Sequence, residues 1–119
     1  MKRLWRATIN SWNGLLAAAQ SEQAFREELA VLAIGIPLAF LLTVDTGRRL
    51  ALIGSLVFIL IVELLNTAIE KLSDRVSRDP DLDLKRVKDM GSAAIFLSLL
   101  LAGATWLWVA IERFWSPAG

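Results

Sequence analysis

The sequence predicts an all-α membrane protein, with three transmembrane helices preceded by an amphipathic surface helix. Three observations predict it. Long apolar blocks divide the chain, and 55% of its 119 residues are hydrophobic, above the ~45–50% usual for soluble domains. The stretch before the first block is two-faced. Basic residues are distributed unevenly about the blocks, as the positive-inside rule requires.

The first element covers about residues 2–20. At 100° per residue, Leu4, Trp5, Thr8, Ile9, Trp12, Leu15, Leu16 and Ala19 fall on one side, and Lys2, Arg3, Arg6, Asn10, Asn13 and Gln20 on the other. A basic face opposite a Trp/Leu face suits a helix lying in the membrane interface, although a helix packed on a protein core has the same pattern. No uninterrupted apolar core follows the first basic residues, so this is not the pattern of a signal peptide.

The apolar blocks run from Leu29 to Val44, Leu50 to Ile69 and Ala93 to Ile111. With ~20 residues needed to cross ~30 Å of hydrocarbon, they predict spans over about 24–44, 50–70 and 90–111. The first is long enough only if it extends back through Ala24 and Phe25, and Pro37 is expected to bend it. Asp45 to Arg49 reads as a tight turn that makes the first two spans antiparallel neighbours. Lys71 to Lys88 is a long polar connection. Of the 13 basic residues, ten (Lys2, Arg3, Arg6, Arg26, Lys71, Arg75, Arg78, Lys85, Arg86 and Lys88) lie on one side of the membrane in this topology, and Arg48, Arg49 and Arg113 on the other. The N-terminus is therefore expected in the cytoplasm. The whole chain reads as one domain. Ala94, Ser98 and Ala102 form a small-residue stripe that lets helices approach closely in lipid, and three short spans make a thin bundle, so self-association is expected.

Cysteine and histidine are both absent. That excludes disulfides, thiol catalysis and iron–sulfur clusters, and removes the commonest general base. The net charge of +1 argues neither for nor against nucleic acid, and no segment points to one or to a partner protein. No GxxxxGK[ST], GxGxxG or kinase catalytic-loop pattern is present. Asp79 to Asp83 resembles the start of a calcium loop, but Leu84 stands where that loop needs glycine and Met90 where it needs glutamate, so it reads as a solvated acidic turn.

The chemistry is concentrated near the end of the second span. Glu63, Asn66, Thr67, Glu70 and Asp74 are offset by 3, 4, 7 and 11 residues from Glu63 and form one polar stripe about three turns long. Glu63 still lies within the apolar block, where a carboxylate costs at least ~2.5 kcal/mol. A neutral acid bonding between helices would explain one such residue, and solvation would explain Glu70 and Asp74. Neither explains a whole stripe of hydrogen-bonding groups descending into lipid. The topology brings Glu22, Arg26, Glu27 and Glu28, and Lys88, Asp89 and Ser92, to the same level. Carboxylates without histidine point to a hard cation such as magnesium, and a lysine beside them, with a helix N-terminus, to a phosphate. Next to lipid, this set fits phosphoryl transfer to a lipid hydroxyl.

The runs V-E-L-L-N-T-A-I-E-K-L-S-D-R (62–75) and K-D-M-G-S-A-A (88–94), with S-W-N-G-L (11–15) and E-Q-A-F-R-E-E (22–28), resemble the prokaryotic diacylglycerol kinase family over nearly the whole chain. The resemblance implies a homotrimer in the bacterial inner membrane, with active sites shared between subunits. The implied reaction transfers the γ-phosphate of magnesium ATP to diacylglycerol, giving phosphatidic acid. It implies Glu63 as general base, Glu22 and Glu70 as metal ligands that also face the nucleotide, and Lys88 and Asp89 as nucleotide contacts. Asn66 would support the site, Arg3 and Ser92 would lie near the nucleotide or lipid, and Glu28 and Asp74 would be further site acids. Two residues depart from the pattern. Asn10 stands at the nucleotide position where an aromatic is usual, and Asn13 where a lysine is often found. The rival readings are a kinase for another lipid alcohol such as undecaprenol, an ion-coupled transporter using Glu63, and a structural membrane oligomer.

Overall fold

The computed structural model describes residues 1–77, 79 and 81–115; Arg78 and Pro80 of the polar connection lie outside the described residues. Four helices follow one another: α1 (Lys2–Ser21), α2 (Gln23–Leu42), α3 (Thr46–Val76) and α4 (Leu82–Trp115). Helix α3 is the spine. It packs along α2 on one side and α4 on the other, while α2 and α4 barely meet and α1 touches the rest only lightly.

The joints are short because side chains cap the free backbone groups at the helix ends. Glu22 alone separates α1 from α2, in an extended conformation. Its N–H donates to Ala18 O at 2.9 Å. Arg26 Nη1 donates to Ala19 O (2.8 Å) and Gln20 O (3.3 Å), satisfying the last carbonyls of α1. Between α2 and α3 the turn lies at residues 43–45, earlier than the expected Asp45–Arg49. The shift has a physical cause: Asp45 Oδ2 accepts from the Arg48 N–H at 2.8 Å and caps α3, so Thr46 to Arg49 are already helical. Arg49 Nε then donates to Thr43 O at 2.8 Å, and its guanidinium lies 4.3 Å from the centre of the Phe40 ring. In the acidic turn, Asp81 Oδ1 accepts from the N–H groups of Asp83 (2.8 Å) and Leu84 (3.1 Å), holding the first turn of α4.

Helix packing relies on small residues. A Cβ on Gly35 of α2 would meet Leu56 Cδ1, so a larger residue there would require the Leu56 side chain to move. Ala39, Leu52 and Val109 close one buried cluster, Leu56, Ile59 and Ala102 a second, and Ala18, Phe25 and Leu60 a third where α1 joins. The small-residue stripe of α4 is divided. Ser98 and Ala102 are buried within the chain, whereas Ala94 is exposed. Two of its three members thus serve packing inside one molecule. Trp106 Nε1 donates to Leu52 O and Ser55 Oγ, both at 3.2 Å, linking α4 to α3 among apolar neighbours. Trp106→Phe keeps the ring but loses the donor, and should lower stability by about 1 kcal/mol in thermal unfolding. An unchanged midpoint would show that these bonds contribute nothing.

Helices α3 and α4 are each long and apolar enough to cross a membrane. Helix α2 runs through Pro37 without interruption, but its first turns carry Arg26, Glu27 and Glu28. Its apolar run, residues 29–42, spans only ~21 Å against ~30 Å of hydrocarbon. The surface supports burial in lipid: Phe96, Leu97, Leu99, Leu100 and Leu101 of α4 are all exposed. A continuous apolar surface of this kind needs a non-aqueous neighbour. At the end away from the acids, Arg48 Nη2 pairs with Glu112 Oε2 at 2.7 Å, joining the start of α3 to the end of α4.

Candidate functional site

The site lies where α3 emerges from its apolar stretch. The helical period places Glu63, Asn66 and Thr67 on the face that α3 turns inward, and all three are buried. Glu63 is 7% exposed, among apolar neighbours in sequence on both sides. One turn further, Asn66 Nδ2 donates to Glu70 Oε1 at 3.1 Å, fixing the exposed carboxylate of Glu70 to the buried amide. Two turns beyond Asn66, half-buried Asp74 accepts from Lys88 Nζ at 2.6 Å, an ion pair between α3 and α4.

Other acids converge from α2 and its joint with α1. Glu63 is close enough to Glu70 and Glu22 to interact with both charges, and Glu28 with those of Glu63 and Glu27. The structure therefore brings together Glu22, Glu28, Glu63, Asn66 and Glu70, with the Asp74–Lys88 pair further along the same α3 stripe. Asp89 pairs with Lys85 at 2.8 Å. Lys85, Lys88 and Asp89, with Ser77, Asp79 and Asp81, line a cavity of about 510 Å³ at the α3–α4 connection. Ser92 is exposed about three turns into α4, which begins at Leu82 and not at the level of Lys88 to Ser92 as expected, and Arg3 and Asn10 are exposed on α1. Because α1 joins the bundle through Ala18 near its C-terminal end, Arg3 lies ~22 Å back along the helix axis. Among the described residues, no hydrogen bond or ion pair joins Arg3 or Asn10 to the acids, although Ser11 beside Asn10 lines a cavity with Thr67 and Lys71.

Two contributors were not recognised from the sequence. Gly91 belongs to the K-D-M-G-S-A-A run, which by itself assigns it no role. A Cβ there would collide with Asn66 Oδ1, so α4 leaves room for the amide that holds Glu70. Lys71 carries no site role in the sequence reading. Its Nζ donates to Ser21 Oγ at 2.9 Å and lies 3.8 Å from Glu22 Oε1, which ties the α1–α2 joint to α3. A sequence signal existed, because Lys71 follows Thr67 by four residues and so continues the stripe.

The donor set suits a hard cation that keeps much of its shell from water and substrate. Among the described residues, no group of three or more acids is placed to hold a metal ion. Magnesium does not need one, since it typically uses one or two carboxylates plus substrate phosphates. Glu28 Oε2 and Asn66 Oδ1 are buried without a hydrogen-bond partner, and unsatisfied oxygens beside several carboxylates make a site that favours positive charge.

Fold and site together define a small all-helical protein, with two helices able to cross a membrane and an acid, amide and lysine site at one end of its spine. The chain belongs to the prokaryotic diacylglycerol kinase family, whose family model matches residues 9–110. It is 46% identical over 106 residues to the diacylglycerol kinase of Pseudomonas aeruginosa, covering 89% of this chain and 86% of that one. It is 40% identical over 104 residues to that of Escherichia coli K12 (87% and 85%), and 35% identical over 106 residues to that of Haemophilus influenzae (89% and 90%). The expected family resemblance is thereby borne out, and the protein is a kinase.

Proposed function

We propose that this kinase transfers the γ-phosphate of ATP to the hydroxyl of diacylglycerol, giving phosphatidic acid and ADP. The observation that carries the reading is the buried carboxylate of Glu63, set in an apolar stretch beside the Asn66–Glu70 pair and the acids of the α1–α2 joint. The family name of the relatives supplies the substrate class.

The acyl tails of the substrate remain in lipid, so its hydroxyl arrives at the depth of Glu63. Glu63 accepts the hydroxyl proton as the oxygen attacks the γ-phosphorus, and the bond from that phosphorus to the bridging oxygen of ADP breaks in line. Glu22 and Glu70 would hold magnesium, which screens the charge of the phosphate oxygens when bound. Asn66 keeps Glu70 oriented. Lys88 exchanges its contact with Asp74 for a phosphate oxygen, and Asp89 lies beside it for the nucleotide.

The same reading places the protein in the bacterial inner membrane, with the N-terminus and the site facing the cytoplasm. Helix α2 is the third, shorter span, beginning at the interface where Arg26, Glu27 and Glu28 remain solvated. Helix α1 lies on the membrane with Trp5 and Trp12 in the headgroup layer. The wide exposed apolar surfaces and the exposure of Arg3 and Asn10 support a homotrimer, in which α1 of one subunit completes the site of the next and Ser92 faces the lipid.

The test is phosphate transfer from radiolabelled ATP in detergent micelles, with diacylglycerol and undecaprenol supplied separately. Labelled phosphatidic acid is the expected product. Label only in undecaprenol would keep the mechanism and change the acceptor. Label in neither, from folded protein with magnesium present, would overturn the reading.

A further inference from the structure

The end of the molecule away from the acids carries charged groups that the kinase chemistry does not use. Arg48, Arg113 and Glu112 line a cavity of about 190 Å³ together with Leu41, Leu42, Thr43, Val44 and Val109. Its walls are formed by the end of α2, the start of α3 and the end of α4.

Two features distinguish this cavity from an ordinary ion-paired helix end. Glu112 engages only part of Arg48. Its Oε2 takes Nη2 at 2.7 Å, while Arg48 Nε is buried with no hydrogen-bond partner. Glu112 is committed elsewhere as well, because Oε1 accepts from Trp108 Nε1 at 3.1 Å, and the Arg48 guanidinium lies 5.5 Å from the centre of the Trp108 ring. The second feature is Arg113, which lines the cavity and has no ion-pair partner among the described residues. Two arginines therefore face one carboxylate. The recess carries a net positive charge among apolar walls, a setting that an anion would complete.

We propose that this recess binds an anionic phosphate group, supplied by the headgroup of a membrane phospholipid. The guanidinium of Arg113 and the exposed edge of the Arg48 guanidinium would take the phosphate oxygens, while Leu41, Val44 and Val109 meet the first carbons of the glycerol and chains. The depth agrees. Phe114 and Trp115 are exposed beside the recess, and Trp108 is half-exposed on the same end of α4, as aromatic side chains are at a membrane–water boundary. The cavity of about 190 Å³ is far too small for two acyl chains, so the tails remain in the bilayer. The site lies ~22 Å back along α3 from Glu63 and depends on the membrane reading, not on the kinase reading.

The test uses the full chain in phosphate-free maltoside micelles and follows thermal unfolding as phosphatidylglycerol or inorganic phosphate is added, for the wild type, Arg113→Gln and Arg113→Lys. Phosphatidylglycerol also meets the basic residues of α1, so the readout is the difference between variants. Phosphatidylglycerol should raise the wild-type midpoint, with an apparent affinity roughly tenfold weaker in Arg113→Gln, the scale of one lost charge-assisted hydrogen bond. Arg113→Lys should recover most of it. Inorganic phosphate without effect supports the lipid source. Inorganic phosphate giving the same Arg113-dependent shift supports the anion site but overturns the lipid as its source. Equal response to phosphatidylglycerol in all three proteins overturns the site. Phosphate transfer by Arg113→Gln is measured separately, so loss of the kinase reading and loss of this one are distinguishable.

Discussion

Glu63→Gln should fold, bind magnesium ATP like the wild type, and lose turnover by about 10²–10⁴-fold, the usual contribution of a positioned general base. Glutamine preserves the shape and hydrogen-bonding size of the side chain but cannot accept the lipid proton. The substitution also removes a carboxylate from a crowded acidic cluster, where Glu22, Glu28 and Glu70 all interact with it. Stability should therefore be unchanged or slightly higher. Rapid mixing with labelled ATP checks turnover, and equilibrium nucleotide binding checks the site. Near-normal turnover would remove Glu63 from the role of base. Loss of nucleotide binding together with turnover would instead make it a structural member of the cluster.

The second large effect is expected at Gly91, which touches no substrate in the proposed mechanism. Its missing side chain makes room for Asn66 Oδ1, and Asn66 holds Glu70 through Nδ2. In Gly91→Ala the added methyl displaces the amide, and the Glu70 carboxylate loses its tether. A shift of about 1 Å in a positioned group costs about 10²-fold in rate, and overpacking costs about 1–3 kcal/mol in stability. Asn66→Ala should lose activity by a similar factor without the packing penalty. The double variant should be little less active than either single one, because both act through the same Glu70 contact. Fully additive losses would place Gly91 and Asn66 on separate routes.

The helical class and the polar stripe were legible because both are local periodicities. A side chain every 100° places Glu63, Asn66 and Thr67 on one face in sequence, and the structure buries all three on that face. The pair Lys88–Asp74 was foreshadowed only as two elements at one level; their contact at 2.6 Å depends on how α4 returns against α3. Gly91 could not be read, since its role depends on an atom 25 positions away in sequence on another helix. The Asp45 turn was misplaced because Arg48 and Arg49 looked like loop residues. They are helical, with side chains turned back to satisfy α2 and α4. Arg26 was legible as a charge but not as the cap of α1, since a cap depends on where the chain bends. The small-residue stripe was legible as a contact surface, but its partner was not, and Ser98 and Ala102 face inward within the same chain.

The unbroken run of α3 from Thr46 to Val76 has one further consequence. At 1.5 Å per residue it is a rod ~46 Å long, half as long again as the hydrocarbon is thick. The acid stripe and the arginine recess are therefore two marks on a single ruler. The rod cannot shorten, so Glu63 keeps a fixed distance from the opposite boundary, and a change in bilayer thickness alters only how far the ruler protrudes or leans.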